Sequence, residues 1–158
     1  MITNNLTSIT LYKPNIADCN KVMNMQTEFF STHCKFNGTC NLHLYRDYID
    51  WLANTINQSH KTNFNNNTNS VKHTYLVDNN SKFIGMVEII IYFDEKSSQT
   101  RAHIIECIRP ACRRCGYGKP LMKKAIQECV FLGVAKNYIT YERNSKACNE
   151  TMNKITDF

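Results

Sequence analysis

The chain has 158 residues and a formal net charge of +6, with 42% hydrophobic and 20% charged residues. This length fits one domain around one core, and the composition excludes wholesale disorder. The excess of Lys and Arg favours an anionic partner, and it leaves nucleic acid, a membrane surface and a phosphorylated small molecule all open. No apolar run approaches the roughly 18 residues that span a bilayer, and residues 1–10 lack the features of a signal peptide. We therefore expect a cytoplasmic protein with no membrane partner, in which the eight cysteines are reduced thiols.

The first part of the chain predicts a strand followed by a helix. Residues 7–12 alternate apolar and polar side chains and end before Pro14, which cannot extend a strand ladder. Residues 16–30 place apolar side chains near helical spacing, and Asn15 stands where it can cap the helix N-terminus. We therefore expect a strand over residues 7–12 and a helix over residues 16–30.

The next segment predicts a second helix and then a loop. Apolar residues recur at three- and four-residue steps over residues 44–56, which indicates an amphipathic helix with Trp51 at its edge. The Asn-rich segment 57–70 has neither helical nor strand periodicity. It is therefore expected to be a solvated loop.

The second half of the chain predicts several strands around one helix. Residues 73–78 and 83–93 are rich in β-branched and aromatic side chains, and the polar residues between them are typical of a turn, so the pair is expected to form an antiparallel hairpin. A strand, a helix and another strand are expected over residues 102–109, 118–133 and 138–142. This order of elements indicates an α/β or α+β domain around a mixed sheet.

The most informative segment is the turn between the strand at 102–109 and the helix that follows it. Gly116 and Gly118 allow a tight turn and close approach of the backbone to a ligand, and Pro120 suits the first turn of a helix. The helix N-terminus presents unpaired N–H groups and the positive end of the helix dipole. Three cations surround it, namely Arg113, Arg114 and Lys119. This arrangement predicts a binding site for a phosphate or pyrophosphate.

The spacing of the glycines narrows the kind of phosphate site. A P-loop requires a glycine five residues before Gly118, where Arg113 stands, and a dinucleotide fingerprint requires a third glycine at the position of Leu121. What remains is the pattern Arg-x-x-Gly-x-Gly over residues 113–118. Preceded by Ile-Arg-Pro and followed by an amphipathic helix, it resembles the pyrophosphate loop of the GNAT superfamily of acyl-CoA N-acyltransferases. The sequence of this segment is similar to that of bacterial predicted acetyltransferases.

This resemblance implies a fold, a cosubstrate and a reaction. The fold is one GNAT-like domain over residues 1–158, with a mixed, mostly antiparallel central sheet flanked by helices and with the last strands missing. The reaction is acetyl transfer from acetyl-CoA to a primary amine of a small molecule or peptide, with no metal. The residues that the resemblance assigns to acetyl-CoA are Cys107, Ile108, Arg113, Arg114, Cys115, Gly116, Tyr117, Gly118, Lys119 and Asn144.

The resemblance also indicates where a catalytic base would lie. In the family a carboxylate near the amine comes from the strand that here holds Glu106, so Glu106 is the first candidate for general base. Glu88 on the preceding strand and His103 are the reserves.

Two features depart from the family pattern. Many members carry a Tyr as general acid seven residues after the Asn that opens the last helix, where this chain has Thr151. Residues 153–158 also lack the glycine turn that leads into the family's final strands. These departures leave open a degenerate or inactive CoA-binding protein, or a homodimer in which a partner chain covers an exposed sheet edge.

Two other classes of function compete with this interpretation. Cys112 and Cys115 have the spacing of zinc ligands, although a structural zinc site needs a second such pair. A basic nucleic-acid-binding protein is the other alternative, but the cations surround a glycine turn and form no extended basic stripe with aromatic side chains. We therefore expect no metal and no nucleic-acid partner.

Overall fold

A mixed β-sheet with helices on both faces forms the frame of the molecule. The computed structural model describes residues 8–60, 63–65, 68–143 and 153–154, and within them it has seven strands. The strands are β1 (Ile9–Tyr12), β2 (Asn63–Asn65), β3 (Thr68–Asn79), β4 (Lys82–Asp94), β5 (Gln99–Ile108), β6 (Ile139–Arg143) and β7 (Asn153–Lys154). The helices of more than one turn are α1 (Cys19–Ser31), α2 (Tyr48–His60) and α3 (Gly118–Phe131).

The sheet has the order β1-β3-β4-β5-β6-β7, and β2 pairs separately with β3. Only β5 and β6 run parallel among the described strands, while every other pair is antiparallel. The predicted mixed, mostly antiparallel sheet is therefore confirmed. The predicted hairpin is β3 and β4; β3 begins five residues before its predicted range, whereas β4 exceeds its range by one residue at each end.

The first helix begins with the predicted cap. The Asn15 side chain accepts a hydrogen bond from the Ala17 N–H at 2.9 Å, and Asp18 accepts one from the Asn15 N–H at 2.8 Å, which forms a capping box. The predicted range 16–30 divides into one 3-10 turn, Ile16–Asp18, and then α1.

The second helix begins later than its hydrophobic spacing predicts. Leu42–Leu44 forms a 3-10 turn, because Asn41 has the left-handed φ of 56° and Tyr45 is extended. Trp51 is completely buried, and its indole N–H donates to the Thr39 carbonyl at 2.9 Å. The expectation that Trp51 packs at the helix edge is therefore wrong.

The Asn-rich segment is a second correction. The predicted loop over residues 57–70 contains the last turn of α2, all of β2 and the first residues of β3. Residues 63–65 pair with residues 68–70 in register, so backbone pairing orders a segment whose side chains carry no strand pattern.

Two apolar clusters fix the layers above and below the sheet. On one face α3 packs over the central strands through Leu121, Met122 and Ala125, together with Val87 and Ile104 of the sheet. The other face is covered by α1 and α2, and its cluster includes Phe29, Trp51, Leu76, Met86 and Cys107. The helices of the described chain are too short or too polar to cross a membrane.

The C-terminal part differs from expectation in one respect. The two-residue strand β7 follows β6 and pairs with Thr140 and Tyr141, although the sequence predicts that the final strands are missing. Asn144 and Thr151, and with them the predicted last helix, lie outside the described residues.

Candidate functional site

The segment between β5 and α3 forms the glycine turn that the sequence predicts. Arg114 and Gly116 have left-handed φ values of 58° and 81°, and these turn the chain sharply before α3. The helix begins at Gly118, and no side chain of the described chain caps its N-terminus at Tyr117. Its first-turn N–H groups are therefore available to an acceptor from outside the chain.

The turn is open on its outer side. Arg114, Cys115, Gly116 and Lys119 are exposed, and a Cβ built at Gly116 would have no heavy atom within 4 Å. Backbone amides, a helix N-terminus and two exposed cations therefore lie together in one exposed segment. This arrangement fits a diphosphate group such as that of acetyl-CoA.

Arg113 does not take part in that open surface. Its guanidinium lies 5.7 Å from the Phe29 ring, its Nε donates to the Ile108 carbonyl at 3.0 Å, and its Nη1 contacts the Cys34 sulfur at 3.4 Å. The side chain therefore anchors the turn to α1 and to the segment after it. Its Nη2 is buried and has no hydrogen-bond partner among the described residues, and the assignment of Arg113 to acetyl-CoA stays a prediction.

The two cysteines of the Cys-x-x-Cys pair lie in different environments. Cys112 is buried in the cluster under α3, and burial raises the pKa of its thiol, whereas Cys115 is exposed. The described part of the chain has no group of three potential metal ligands, and its seven cysteines are free thiols.

The end of β5 lies beside both the glycine turn and the other helical layer. Pairing with β6 reaches Glu106 opposite Arg143, while β5 continues to Cys107 and Ile108. A Cβ built at Gly38 would lie 2.9 Å from the Ile105 carbonyl oxygen, so the α1–α2 connection crosses β5 closely. Cys107 and Ile108, the expected partners of the pantetheine arm, are therefore at the junction of these elements.

A cleft of about 540 Å³ opens next to this junction. The α1–α2 connection forms one wall and the sheet forms the floor. Its lining residues are Lys35, Phe36, Asn37, Gly38, Asn41, His43, Lys72, Glu88, Ile105 and Glu142.

Glu88 is the buried carboxylate of this cleft. It is 4% exposed, accepts a hydrogen bond from the Cys40 N–H, and has Lys72 Nζ 3.9 Å from its Oε1. Burial raises the pKa of Glu88 above its ordinary value, while Lys72 and the Cys40 N–H act in the opposite direction. A raised pKa makes a carboxylate a stronger base, which suits a proton acceptor.

Glu106 lies on the other side of the sheet. It is paired with Val87 in the β4–β5 ladder, and it shares a face of β5 with Ile104 and Ile108, which lie two residues before and after it. Val87, Ile104 and Ile108 all belong to the cluster under α3. Its side chain is 5% exposed. The structure therefore does not bring Glu106 to the cleft, and the reserve candidate Glu88 takes that place.

His103 is on the cleft face of β5, two residues before Ile105. Its Nδ1 lies 2.8 Å from the Thr140 hydroxyl and its Nε2 lies 3.7 Å from Glu142 Oε2. Asn37 donates to the same carboxylate at 3.4 Å. His103 therefore contacts Glu142, which lines the cleft, and is itself absent from the lining.

Comparison with known proteins agrees with this geometry. The model of the Acetyltransferase (GNAT) family matches residues 30–150. No curated protein matches the chain significantly.

Solved structures show the same fold. An aminoglycoside acetyltransferase from an uncultured soil metagenomic sample is 15% identical, with 92% of this chain and 82% of that chain covered and a TM-score of 0.53. A GNAT family acetyltransferase of Staphylococcus aureus is 16% identical, with 96% of each chain covered and a TM-score of 0.52. An acetyltransferase of Trypanosoma brucei is 14% identical, with 89% and 84% covered and a TM-score of 0.51.

At these identities the structural neighbours establish the fold, and the family match covers most of the sequence. The glycine turn before α3 and the cleft beside β5 lie within the matched range. The chain therefore belongs to the GNAT family of acetyltransferases and is an acyltransferase.

Proposed function

We propose that the protein transfers the acetyl group of acetyl-CoA to a primary amine of a small molecule or peptide, with Glu88 as general base. The observation that carries this proposal is the position of Glu88, a buried carboxylate in a cleft whose floor includes Ile105, three residues before the end of β5. The glycine turn follows directly after that end. Donor and acceptor can therefore meet at one segment of β5.

The donor side of the proposal rests on the turn and the end of β5. The backbone of residues 114–119, including Cys115 and Tyr117, would hold the pyrophosphate, with Arg114 and Lys119 supplying positive charge. Cys107 and Ile108 would align the pantetheine arm, and Asn144 is assigned to that arm by family resemblance alone. Acetyl-CoA supplies the thioester whose carbonyl carbon is attacked.

The acceptor side rests on the cleft. The amine nitrogen forms a C–N bond with the carbonyl carbon as the C–S bond breaks, and the amine loses one proton to Glu88. The departing thiolate takes a proton from water, and protonated Glu88 gives its proton to the hydroxide that remains. Because burial raises the pKa of Glu88, its carboxylate is a stronger base than an exposed glutamate, while Lys72 favours its ionised form.

The cleft lining favours a particular kind of amine. Two lysines, Lys35 and Lys72, lie on it together with His43, and the Phe36 ring packs between His43 at 5.3 Å and Phe30 at 4.9 Å. The two carboxylates of the lining already have partners, Glu88 in Lys72 and the Cys40 N–H, and Glu142 in Asn37 and His103. A polyamine or aminoglycoside would therefore bring several positive charges to the cations without a free carboxylate to receive them. We therefore propose an acceptor with a single amine, although one structural neighbour is an aminoglycoside acetyltransferase.

Two further parts of the proposal concern the setting of the protein. The cytoplasm suits a chain whose described cysteines are free thiols. A homodimer would cover the edge of the sheet, where the two described residues of β7 pair with β6. A monomeric mass by light scattering at micromolar protein would refute the homodimer.

The test of the function is a thermal-shift titration with acetyl-CoA, with equal concentrations of ATP and NAD for comparison. A ligand that binds only the folded state raises the melting temperature with concentration, so a selective rise with acetyl-CoA supports the donor site. Acetyl-dependent release of CoA in the presence of amines then separates an enzyme from an inactive CoA-binding protein.

Two glycine variants localise the binding. Gly116→Trp fills the open side of the turn and should abolish the acetyl-CoA shift. Gly133→Trp is the matched control at the other end of α3, because its φ of 92° and its empty surroundings are similar to those of Gly116. An acetyl-CoA shift that survives in folded Gly116→Trp would overturn the assignment of the turn.

A further inference from the structure

One carboxylate on α1 holds the segment that leads into the glycine turn. Glu28 Oε2 accepts hydrogen bonds from Arg109 Nε at 2.7 Å and pairs with Arg109 Nη2 at 2.6 Å. Its Oε1 accepts a hydrogen bond from the Ala111 N–H. The side chains of Glu28 and Arg109 are only 16% and 23% exposed. Glu28 thus contacts the chain at two points just after β5.

These contacts are of the stronger kinds. A guanidinium that donates two hydrogen bonds to a carboxylate has a defined orientation as well as opposite charge, and partial burial reduces screening by solvent. The bond from Ala111 acts on the backbone itself. Removing the charge of Glu28 would leave Arg109 without its counterion in a partly buried place.

The contacts of Glu28 reach the rest of the turn through the backbone. Arg109 N–H donates to the Ile84 carbonyl at 2.9 Å, and Cys112 N–H donates to the Arg109 carbonyl at 2.9 Å. Pro110–Cys112 is one 3-10 turn, so fixing Arg109 and Ala111 fixes the whole turn. The position of this 3-10 turn therefore sets where the glycine turn starts, at Arg114.

The following half of the segment is open. Residues 114–116 are exposed and contain both left-handed conformations, Arg114 at 58° and Gly116 at 81°. Their amides can converge on a ligand only if the chain enters the turn at a defined place and angle. Glu28 contacts the chain at that entry, through Arg109 and Ala111.

We propose that Glu28 is a positioning residue for acetyl-CoA, which holds the amides of the glycine turn in place without touching donor or acceptor. The inference rests on the proposed function, in which this turn binds the pyrophosphate. It predicts that loss of the Glu28 charge weakens acetyl-CoA binding and leaves the transfer step itself intact.

The experiment compares Glu28→Gln with Glu128→Gln in the full chain. Glu128 on α3 is the control, because it is also a partly buried carboxylate with a side-chain partner, the Tyr75 hydroxyl at 2.7 Å, but it lies away from the turn. Amide hydrogen exchange of residues 111–118 is measured first, without ligand. Glu28→Gln should accelerate it, whereas Glu128→Gln should not.

The steady-state constants form the second readout. Loss of a charge-assisted bond should raise the KM and the dissociation constant for acetyl-CoA about tenfold or more in Glu28→Gln, with kcat at saturating acetyl-CoA within about twofold of wild type. Arg109→Lys, which keeps the cation but loses its planar fork, should give a smaller rise. A merely destabilising change would not separate KM from kcat in this way.

The outcomes distinguish this inference from the proposed function. Absence of acetyl-CoA binding by the wild-type chain would overturn the proposed function and the inference with it. Wild-type binding together with unchanged exchange, unchanged KM, or an equal rise of KM in Glu128→Gln would overturn the role of Glu28 alone.

Discussion

The two faces of the central sheet each hold a buried glutamate, but in different surroundings. Glu88 on β4 and Glu106 on β5 are similarly buried, at 4% and 5% exposure. Glu106 is paired with Val87 on the face under α3 and is absent from the cleft lining, whereas Glu88 lines the cleft beneath the α1–α2 connection. Burial alone therefore does not identify a catalytic carboxylate. The deciding feature is whether the carboxylate borders space that a substrate can enter.

The largest expected effect separates these two glutamates directly. Glu88→Gln removes the proposed proton acceptor but keeps the shape and an oxygen for the Cys40 N–H, so kcat should fall by about 10²–10⁴-fold. Glu106→Gln should change kcat by less than about tenfold. Amine-dependent release of CoA measures both, with acetyl-CoA affinity measured in parallel.

The same pair of variants can reverse the comparison. If Glu106→Gln loses activity to the larger extent while its acetyl-CoA affinity is normal, the base lies on β5 as family resemblance suggests. Glu88 would then be a structural carboxylate.

The difference between the faces also explains what could be predicted from sequence. The turn before α3 was predictable, because glycine positions, Pro120 and the apolar spacing of the helix are local signals. The faces of the sheet on which Glu88 and Glu106 lie were not predictable. Residues 83–89 are all buried, so the strand shows no alternation that would orient Glu88.

A local irregularity adds to this ambiguity. The β3–β4 register shifts between Val77 and Asp78. Ile84 and Val87 both belong to the cluster under α3, although residues three positions apart in a regular strand lie on opposite faces. Gly85 permits the close approach there, since a Cβ would lie 2.1 Å from the Cys107 carbonyl oxygen. Strand periodicity could not be carried across this point.

Long-range contacts account for the remaining surprises. The pairing of Arg109 with Glu28 joins residues 81 positions apart, and Lys72 meets Glu88 only because β3 and β4 are neighbours. Neither Glu28 nor Lys72 has a neighbouring motif in the sequence. Composition likewise misled the interpretation of residues 57–70, where backbone pairing outweighs the polar side chains.

The next prediction tests what the cleft face supplies to Glu88. Removing the cation in Lys72→Met should raise the pKa of Glu88 further, because Lys72 is the largest influence that lowers it. The acidic limb of the pH profile of kcat/KM should therefore move to higher pH. Lys124→Met, which removes a cation from α3 on the opposite face, should leave the limb in place. An unmoved limb in Lys72→Met would show that Lys72 does not control the base.

A smaller effect should appear in the choice of amine. At saturating acetyl-CoA, propylamine should have a several-fold higher kcat/KM than spermidine, since the extra charges of spermidine meet Lys35 and Lys72. Added salt should narrow this ratio by screening, and Lys35→Met should narrow it at low salt. A preference for spermidine at low salt would contradict a single-amine acceptor.

The smallest expected effect concerns stability, and it has the opposite sign from the effect on activity. A carboxyl whose pKa is raised in the folded state binds its proton more tightly there than in the unfolded chain, so its ionisation at higher pH lowers the free energy of unfolding. Glu88→Gln lacks that cost and should melt a few degrees higher than wild type at pH 8. The difference should shrink as the pH falls and the wild-type carboxyl becomes protonated in both states. Calorimetric melting of wild type and Glu88→Gln between pH 4 and 8 measures this trend. Equal melting temperatures across the range would mean that Lys72 and the Cys40 N–H fully offset the burial of Glu88, and the carboxylate would then be a weaker base than the cleft geometry implies.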